Sequence, residues 1–311
     1  MFGSHLSIAG NMSNALREAE GLGMDTVQVF TKNQQQWKVP PLSKDTVAEW
    51  KSEIARLGWQ GRVVAHASYL INLASPNDEL WEKSIGLMRV EIERCEELQI
   101  PFLVHHPGSS TTSSTEAGMV RIAAAYKRLF KDTAGYRTIS CLENTVGSGA
   151  NLGGPFEQLA ELRARILEAT GQPGAEGRVG FCFDTCHAHA YGYDMASRKA
   201  GEETLEAFDR ACGLENLKAL HLNDSKGKLG SHLDRHEHIG EGEICPKSLK
   251  DSGFAAVVNH PGLASIPKIL ETPKGDNPSG TPWDRVNLGK LRKLQVSKQP
   301  IKTRRGRSNA A

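Results

Sequence analysis

Apolar residues recur along this chain in two patterns that take turns. Short runs rich in branched and aromatic residues read as strands over Phe2–Ile8, Thr26–Thr31, Arg62–His66, Phe102–His106, Thr138–Glu143, Val179–Asp184, Leu217–Leu222 and Pro267–Thr272. Longer stretches with helical spacing lie between them. The clearest follows Ser75-Pro76-Asn77-Asp78, where Ser75 suits the cap, Pro76 the first turn and Asp78 the positive end of the helix. Trp81, Ile85, Met88, Ile92 and Cys95 then repeat at steps of 4, 3, 4 and 3, which makes one buried stripe. Leu159, Leu162, Ile166 and Leu167 do the same within Phe156–Glu168. Eight strands alternating with helices predict an α/β protein with a parallel sheet and right-handed crossovers. A doubly wound open sheet is the structural alternative.

The strand ends decide between the two. His66, His106, Glu143, Asp184, His221 and Glu271 each fall at or near the end of a predicted strand, at successive gaps of 40, 37, 41, 37 and 50 positions. Each gap is about one βα unit. An open sheet gathers its site at a switch point, whereas a (β/α)8 TIM barrel delivers side chains from every strand to its C-terminal face. The barrel is therefore the predicted fold, with Gly147–Gly154 and Gly240–Gly242 read as loops of that face.

His187, Asp234 and His236 join the six, in the compact pairs Asp184/His187 and Asp234/His236. Taken singly, a strand-end His or Asp is most simply a hydrogen-bonded structural residue. Together, several converging carboxylates would repel one another and take up protons unless cations stood between them. Five His and four carboxylates without Cys suit zinc or manganese in a catalytic setting that stays open to water. Nine ligands exceed what one ion needs, so two or three ions sharing a bridging carboxylate are expected. His5, His105, His189, His232, His238 and His260 have weaker claims, and Cys182 and Cys186 read as core filling. Such a cluster is the usual apparatus for phosphoester hydrolysis.

Composition limits the setting. The 311 residues exceed the length of a typical barrel (about 250) by a tail and a few insertions. One domain over residues 1–297 is expected, followed by a basic tail over 298–311. That tail reads as a solvated, disordered end, or as a nonspecific phosphate contact through Lys298, Lys302, Arg304, Arg305 and Arg307. A net charge of +2 neither demands nor excludes a polyanionic partner. Six cysteines without dense spacing, no signal-peptide pattern and no long apolar run point to a reducing, cytoplasmic setting without a membrane span.

The motifs FTKNQ, HASYLINL, HPGS, LENT with GSGANLG, DTCHA with GYD, HLNDSK, DRHEHIGEG and ILETP occur in that order from about Phe2 to Thr272. With them the chain resembles endonuclease IV, the zinc-dependent apurinic/apyrimidinic endonuclease family of DNA base-excision repair. The resemblance implies a barrel with three zinc ions acting on double-stranded DNA; the ligand types admit manganese in part, and a monomer suffices for such chemistry. His66, His106 and Glu143 would hold the first ion. Glu143 would bridge to a second, bound also by Asp184, His221 and Glu271, while His187, Asp234 and His236 would hold the third. Glu143, as the bridging carboxylate, would act with a metal-bound hydroxide that attacks the phosphodiester 5′ to an abasic site. The products would be a 3′-hydroxyl and a 5′-deoxyribose phosphate, and blocked 3′ ends would also be trimmed.

Tyr69 and Leu70 match positions that enter the DNA stack as wedges, which is least demanding where a base is already missing. Gln35 stands where the family pattern has an arginine that enters DNA, so hydrogen bonding is kept and the charge is lost. The stretch 255–265 reads as a loop longer than in some relatives. Two other functions compete with this reading, a metal-dependent sugar isomerase or epimerase on a similar barrel and a noncatalytic lesion-binding protein held together by zinc. The first leaves the DRHEH motif and the Tyr69-Leu70 loop without a purpose. The second needs closed metal shells rather than carboxylate-rich, bridged ones.

Overall fold

Eight parallel strands close on themselves in the computed structural model, which describes residues 1–171 and 174–296. They are β1 (Phe2–Leu6), β2 (Gln28–Phe30), β3 (Val64–His66), β4 (Phe102–His105), β5 (Ile139–Glu143), β6 (Val179–Asp184), β7 (Leu217–His221) and, after a hairpin of β8 (Asp224–Ser225) with β9 (His236–Glu237), β10 (Lys268–Leu270). The pairing of β1 with β10, with Phe2 opposite Lys268 and Ser4 opposite Leu270, seals the ring and excludes the open sheet. The predicted strands stand, all but β6 trimmed by one to three residues where the chain leaves the ladder for a loop.

Strand alternation sorts the side chains. Val64, Val104, Cys141, Cys182, Ala219 and Ile269 form a buried cluster of their own, contributed by six strands of the ring. The larger core lies outside, where Phe181 and Phe183 of β6 meet Phe208 at ring centroids of 6.0 and 5.4 Å. Because side chains two apart share a face of a strand, each member of the inner cluster predicts the direction of the residue two further on. Those residues are His66, His106, Glu143, Asp184, His221 and Glu271. The ring therefore carries a layer of small apolar side chains inside and, one step towards the C-terminal ends, a layer of ligand types.

Three local expectations need correction. The helix Asp78–Glu97 is capped by Asn77, whose side chain accepts from Leu80 N at 2.8 Å, while the Ser75 hydroxyl accepts from Asn77 N at 3.2 Å. Asn competes well for a cap, and Pro76 thus precedes the helix instead of opening it. The stretch read as a loop over 255–265 is largely the helix Gly253–Asn259 followed by a 3-10 turn, and Phe254 and Val257 are buried in it. Trp81 is only half-buried, with Nε1 donating to Leu73 O at 3.0 Å.

The glycine-rich loop after β5 does lie on the C-terminal side. A Cβ at Gly147 or at Gly154 would sit 2.7 or 2.5 Å from the Tyr191 ring, and Gly147 has φ +64°, so only glycine lets this loop pack there. Among the described residues the six cysteines are free, and no helix is long and apolar enough to cross a membrane.

Candidate metal centre

All nine sequence-predicted ligand residues converge at the C-terminal mouth of the ring, in three groups whose donor atoms lie within 4.8 Å of one another. His66, His106 and Glu143 form the first, with both imidazole Nε2 atoms 3.3 Å from Glu143 Oε2. Glu143, Asp184, His221 and Glu271 form the second. There His221 Nδ1 lies 2.8 Å from Glu143 Oε1, 3.2 Å from Glu271 Oε2 and 3.8 Å from Asp184 Oδ2. His187, Asp234 and His236 form the third, with Asp234 Oδ1 3.3 Å from His187 Nε2 and 3.7 Å from His236 Nε2.

The compact pairs resolve differently. Asp184 ends β6 and caps the helix Thr185–Tyr191 through its Oδ1, which accepts from His187 N at 2.8 Å. The first helical turn aims His187 Nε2 at Asp234 in the third group, while its Nδ1 stays 3.4 Å from Glu143 Oε1. Asp234 and His236 stay together because the β8/β9 hairpin folds their segment back across the mouth, with Asp224 opposite Glu237. Glu143 belongs to two groups, and Asp184 Oδ2, in the second, is 3.8 Å from His236 Nε2 in the third.

The donor set fits divalent ions. Charge-assisted hydrogen bonds between such groups are about 2.7–2.9 Å long, and most of these separations are longer. Ligand atoms about 2.0–2.2 Å from a tetrahedral ion stand roughly 3.3–3.6 Å apart, which matches the contacts from Glu143 Oε2 and Asp234 Oδ1. His236 Nε2 is buried and has no hydrogen-bond partner, an orphan that an ion held with His187 and Asp234 would satisfy. Cys182 and Cys186 also come within reach of the second and third groups. Burial pushes both thiols up to about 12, which disfavours the thiolate in the chain by itself.

The charges are mutually dependent. Burial alone would raise the Glu143 carboxyl, yet the imidazoles of His221 and His106 hold it well below the usual carboxylate range. Glu271 behaves alike, opposed by burial and held down chiefly by His221. Burial also disfavours the charged form of His187, but Asp184, Asp234 and Glu143 together raise it well above the ordinary imidazole value. Asp234 is brought down to about 2, against burial, by its bond to His187.

Backbone carbonyls behind the groups fix the ring orientations, and polar side chains hold the carboxylates. His66 Nδ1 contacts Ala67 O at 2.7 Å and His187 Nδ1 contacts Asn144 O at 2.9 Å, which turns each Nε2 inward. Asn223 Nδ2 donates to Asp184 Oδ2 at 2.7 Å, and Asn144 Oδ1 accepts from Asp184 N at 2.7 Å. Gln28 Nε2 donates to Glu271 Oε1 at 2.7 Å, and His5 Nδ1 lies 3.1 Å from the same oxygen. Sequence reasoning missed Gln28, Asn144 and Asn223. An asparagine directly after Glu143 and two after His221 was the available signal. Of the six weaker histidines, His5 touches a ligand, whereas His105 bonds Tyr126, His232 bonds Val146 O and His238 stacks on Trp283.

The three residues read as DNA contacts rim this mouth. Tyr69 is 59% exposed, its ring 5.1 Å from that of His66 and 5.8 Å from that of His106. Leu70 is half-buried against the core and Gln35 is exposed. The basic tail lies outside the described residues, whose last helix is Trp283–Arg292.

Fold and site together define a xylose isomerase-like TIM barrel, and the family model of that description matches residues 16–291. The chain is 44% identical over 293 residues to the probable endonuclease 4 of Chloroflexus aggregans, covering 94% of this chain and 97% of that one. It is 41% identical to the probable endonuclease 4 of Trichlorobacter lovleyi over 292 residues, covering 94% and 98%. Among solved structures, endonuclease IV from Thermus thermophilus superposes with a TM-score of 0.78 at 35% identity, over 94% of this chain and 98% of that one. A D-tagatose 3-epimerase-like protein shares the fold alone, at 17% identity and a TM-score of 0.66. The chain belongs to the endonuclease IV family of hydrolytic enzymes.

Proposed function

We propose that this protein is a DNA repair endonuclease that hydrolyses the phosphodiester 5′ to an abasic site in duplex DNA, leaving a 3′-hydroxyl and a 5′-deoxyribose phosphate. Trimming of blocked 3′ ends follows from the same site, because it breaks the same bond at a terminus. The observation that carries the reading is the sharing of Glu143 between two donor groups, with a third alongside, in a chain of the endonuclease IV family.

In this reading His66, His106 and Glu143 hold one zinc ion, Glu143, Asp184, His221 and Glu271 a second, and His187, Asp234 and His236 a third, with manganese able to replace zinc in part. Bound divalent ions supply a water of lowered pKa at neutral pH and positive charge for a phosphate. The chain's own residues do the rest. Glu143 presents one oxygen to His66 and His106 and the other to His221, so it fixes the spacing of the first two groups. Asn223 and Gln28 hold Asp184 and Glu271 in place. Tyr69 stands proud of the mouth, where an aromatic ring can fill the gap left by a lost base.

The test is incision of a labelled duplex bearing one tetrahydrofuran abasic analogue, comparing the parent protein with Glu143→Ala. A single cut 5′ to the analogue, absent in the variant and on undamaged duplex, supports the reading. Folded, zinc-loaded protein that leaves the duplex whole would overturn it, and sugar epimerisation or lesion binding without scission would then be assayed.

A further inference from the structure

Two loops at the mouth, residues 31–37 after β2 and 68–71 after β3, carry the exposed Gln35 and Tyr69. They leave neighbouring strands, but strand pairing ends at Phe30 and His66, so the ladder does not extend into them. What joins them is a buried polar network. Glu91, 1% exposed and on the inner side of helix Asp78–Glu97, accepts from Thr31 Oγ1 at 2.5 Å and from Ser68 N at 3.2 Å. Lys32 Nζ lies 3.8 Å from Glu91 and donates to the carbonyls of Asn33 and Gln36, both at 3.1 Å. Ser68 Oγ donates across to Gln34 O at 2.5 Å.

The same helix also holds the ends and the flanking residues of both loops. Arg94 donates to Thr31 O at 3.0 Å and to Pro40 O at 2.9 Å, and Ser84 Oγ accepts from Asn72 N at 3.0 Å. A buried carboxylate with a lysine partner is hard to justify by stability alone, because desolvation of the two charges consumes most of their attraction. The network brings no side chain to the nine ligand residues. Its hydrogen bonds end on the two loops that present Gln35 and Tyr69.

Resting on the proposed function, we propose that Glu91 is a positioning residue for lesion recognition: with Lys32 and Ser68 it locks the 31–37 and 68–71 loops into one rigid unit, so that Gln35 and Tyr69 meet DNA together. A rigid pair spends less conformational entropy on insertion than two loops that must order independently.

The test uses the full-length, metal-loaded protein with Glu91→Gln, which keeps the volume and removes the charge, and Ser68→Ala, which removes the strut to Gln34. Backbone hydrogen exchange is followed at 33–37 and 68–71, alongside KM and kcat for incision of a tetrahydrofuran duplex. Expected are exchange that quickens in both loops together, a KM raised about tenfold and a kcat within twofold of the parent. Unchanged exchange in Ser68→Ala and Glu91→Gln would overturn the brace. Loosened loops with an unchanged KM would overturn its role in recognition. If Glu91→Gln does not fold, Ser68→Ala decides by the same two readouts. A parent protein that fails to incise defeats the proposed function, while the exchange result still judges the brace.

Discussion

Gln28 Oε1 lies 2.8 Å from Nε2 of His221, and this contact decides which nitrogen of that ring faces the other ligands. With Nε2 donating to the amide oxygen, Nδ1 is the nitrogen that the neutral ring would offer to an ion, on the side where Glu143 and Glu271 stand. Partners of this kind set the tautomer of a metal-binding imidazole, and their loss lowers metal affinity about 10–100-fold. Gln28→Leu should therefore weaken zinc binding by that factor while the protein stays folded, as read by competition with a chromophoric chelator. Unaltered affinity would mean that the His221 ring needs no such partner.

Metal removal should reach beyond activity. Glu143, Asp184, His66, His187 and His221 are buried together at the mouth. Ions bound only by the folded chain stabilise it by mass action, about 4 kcal/mol at a thousandfold excess over Kd. Thermal melts after chelator treatment should show a lower Tm, restored on adding zinc back and not on adding magnesium. Equal melting of stripped and loaded protein would count against ions bridging these groups.

Lys268 offers a pH dependence remote from the ligands. It is 3% exposed at the start of β10, donates to Ile266 O at 3.2 Å and to Leu263 O, and burial pushes its pKa down to about 8. The unfolded chain therefore holds this proton more tightly than the folded one, and stability attributable to Lys268 rises with pH from about 8 to 10.5. Relative to Lys268→Met, the parent should gain about 3 kcal/mol across that window. Urea unfolding of both proteins at the two ends of the window measures it; parallel changes in the two would refute a neutralised lysine.

Tyr69 should matter to DNA and little to folding. Its ring is largely exposed and rests edge-on against Phe30 at 5.9 Å. Stacking of one base on an aromatic side chain is worth about 1–3 kcal/mol, so Tyr69→Ala should weaken binding of abasic duplex at least fivefold. Affinity for undamaged duplex, bound metal and Tm should hold. Equal losses on both duplexes would assign the ring to general DNA contact instead.

Much of this molecule was legible from alternation along the strands. Val64 with His66, Cys141 with Glu143 and Ala219 with His221 are each two positions apart on one strand face. A strand pattern ending on a ligand type pointed to the mouth, while the inner layer two residues earlier was recognised only in the structure. The barrel and the convergence of six candidate ligands could be read because strand geometry is local, set by the two-residue repeat of a single segment. The remaining three ligands stood out as chemistry in the motifs, but nothing periodic told where His187, Asp234 and His236 would go.

Tertiary structure alone decided the rest. One turn of helix after Asp184 sends His187 into a different group, and a hairpin of two-residue strands returns Asp234 and His236 to the mouth. Gln28 meets His221 only because closure of the ring brings β2 and β7 to face the same interior, 193 positions apart along the chain. Glu91 reaches Thr31 and Ser68 only through the packing of its helix on the barrel. Local spacing determined what each segment would be and which way its side chains point. The distances across the mouth come from ring closure and loop packing, which depend on every strand at once and leave no mark in any single stretch of sequence.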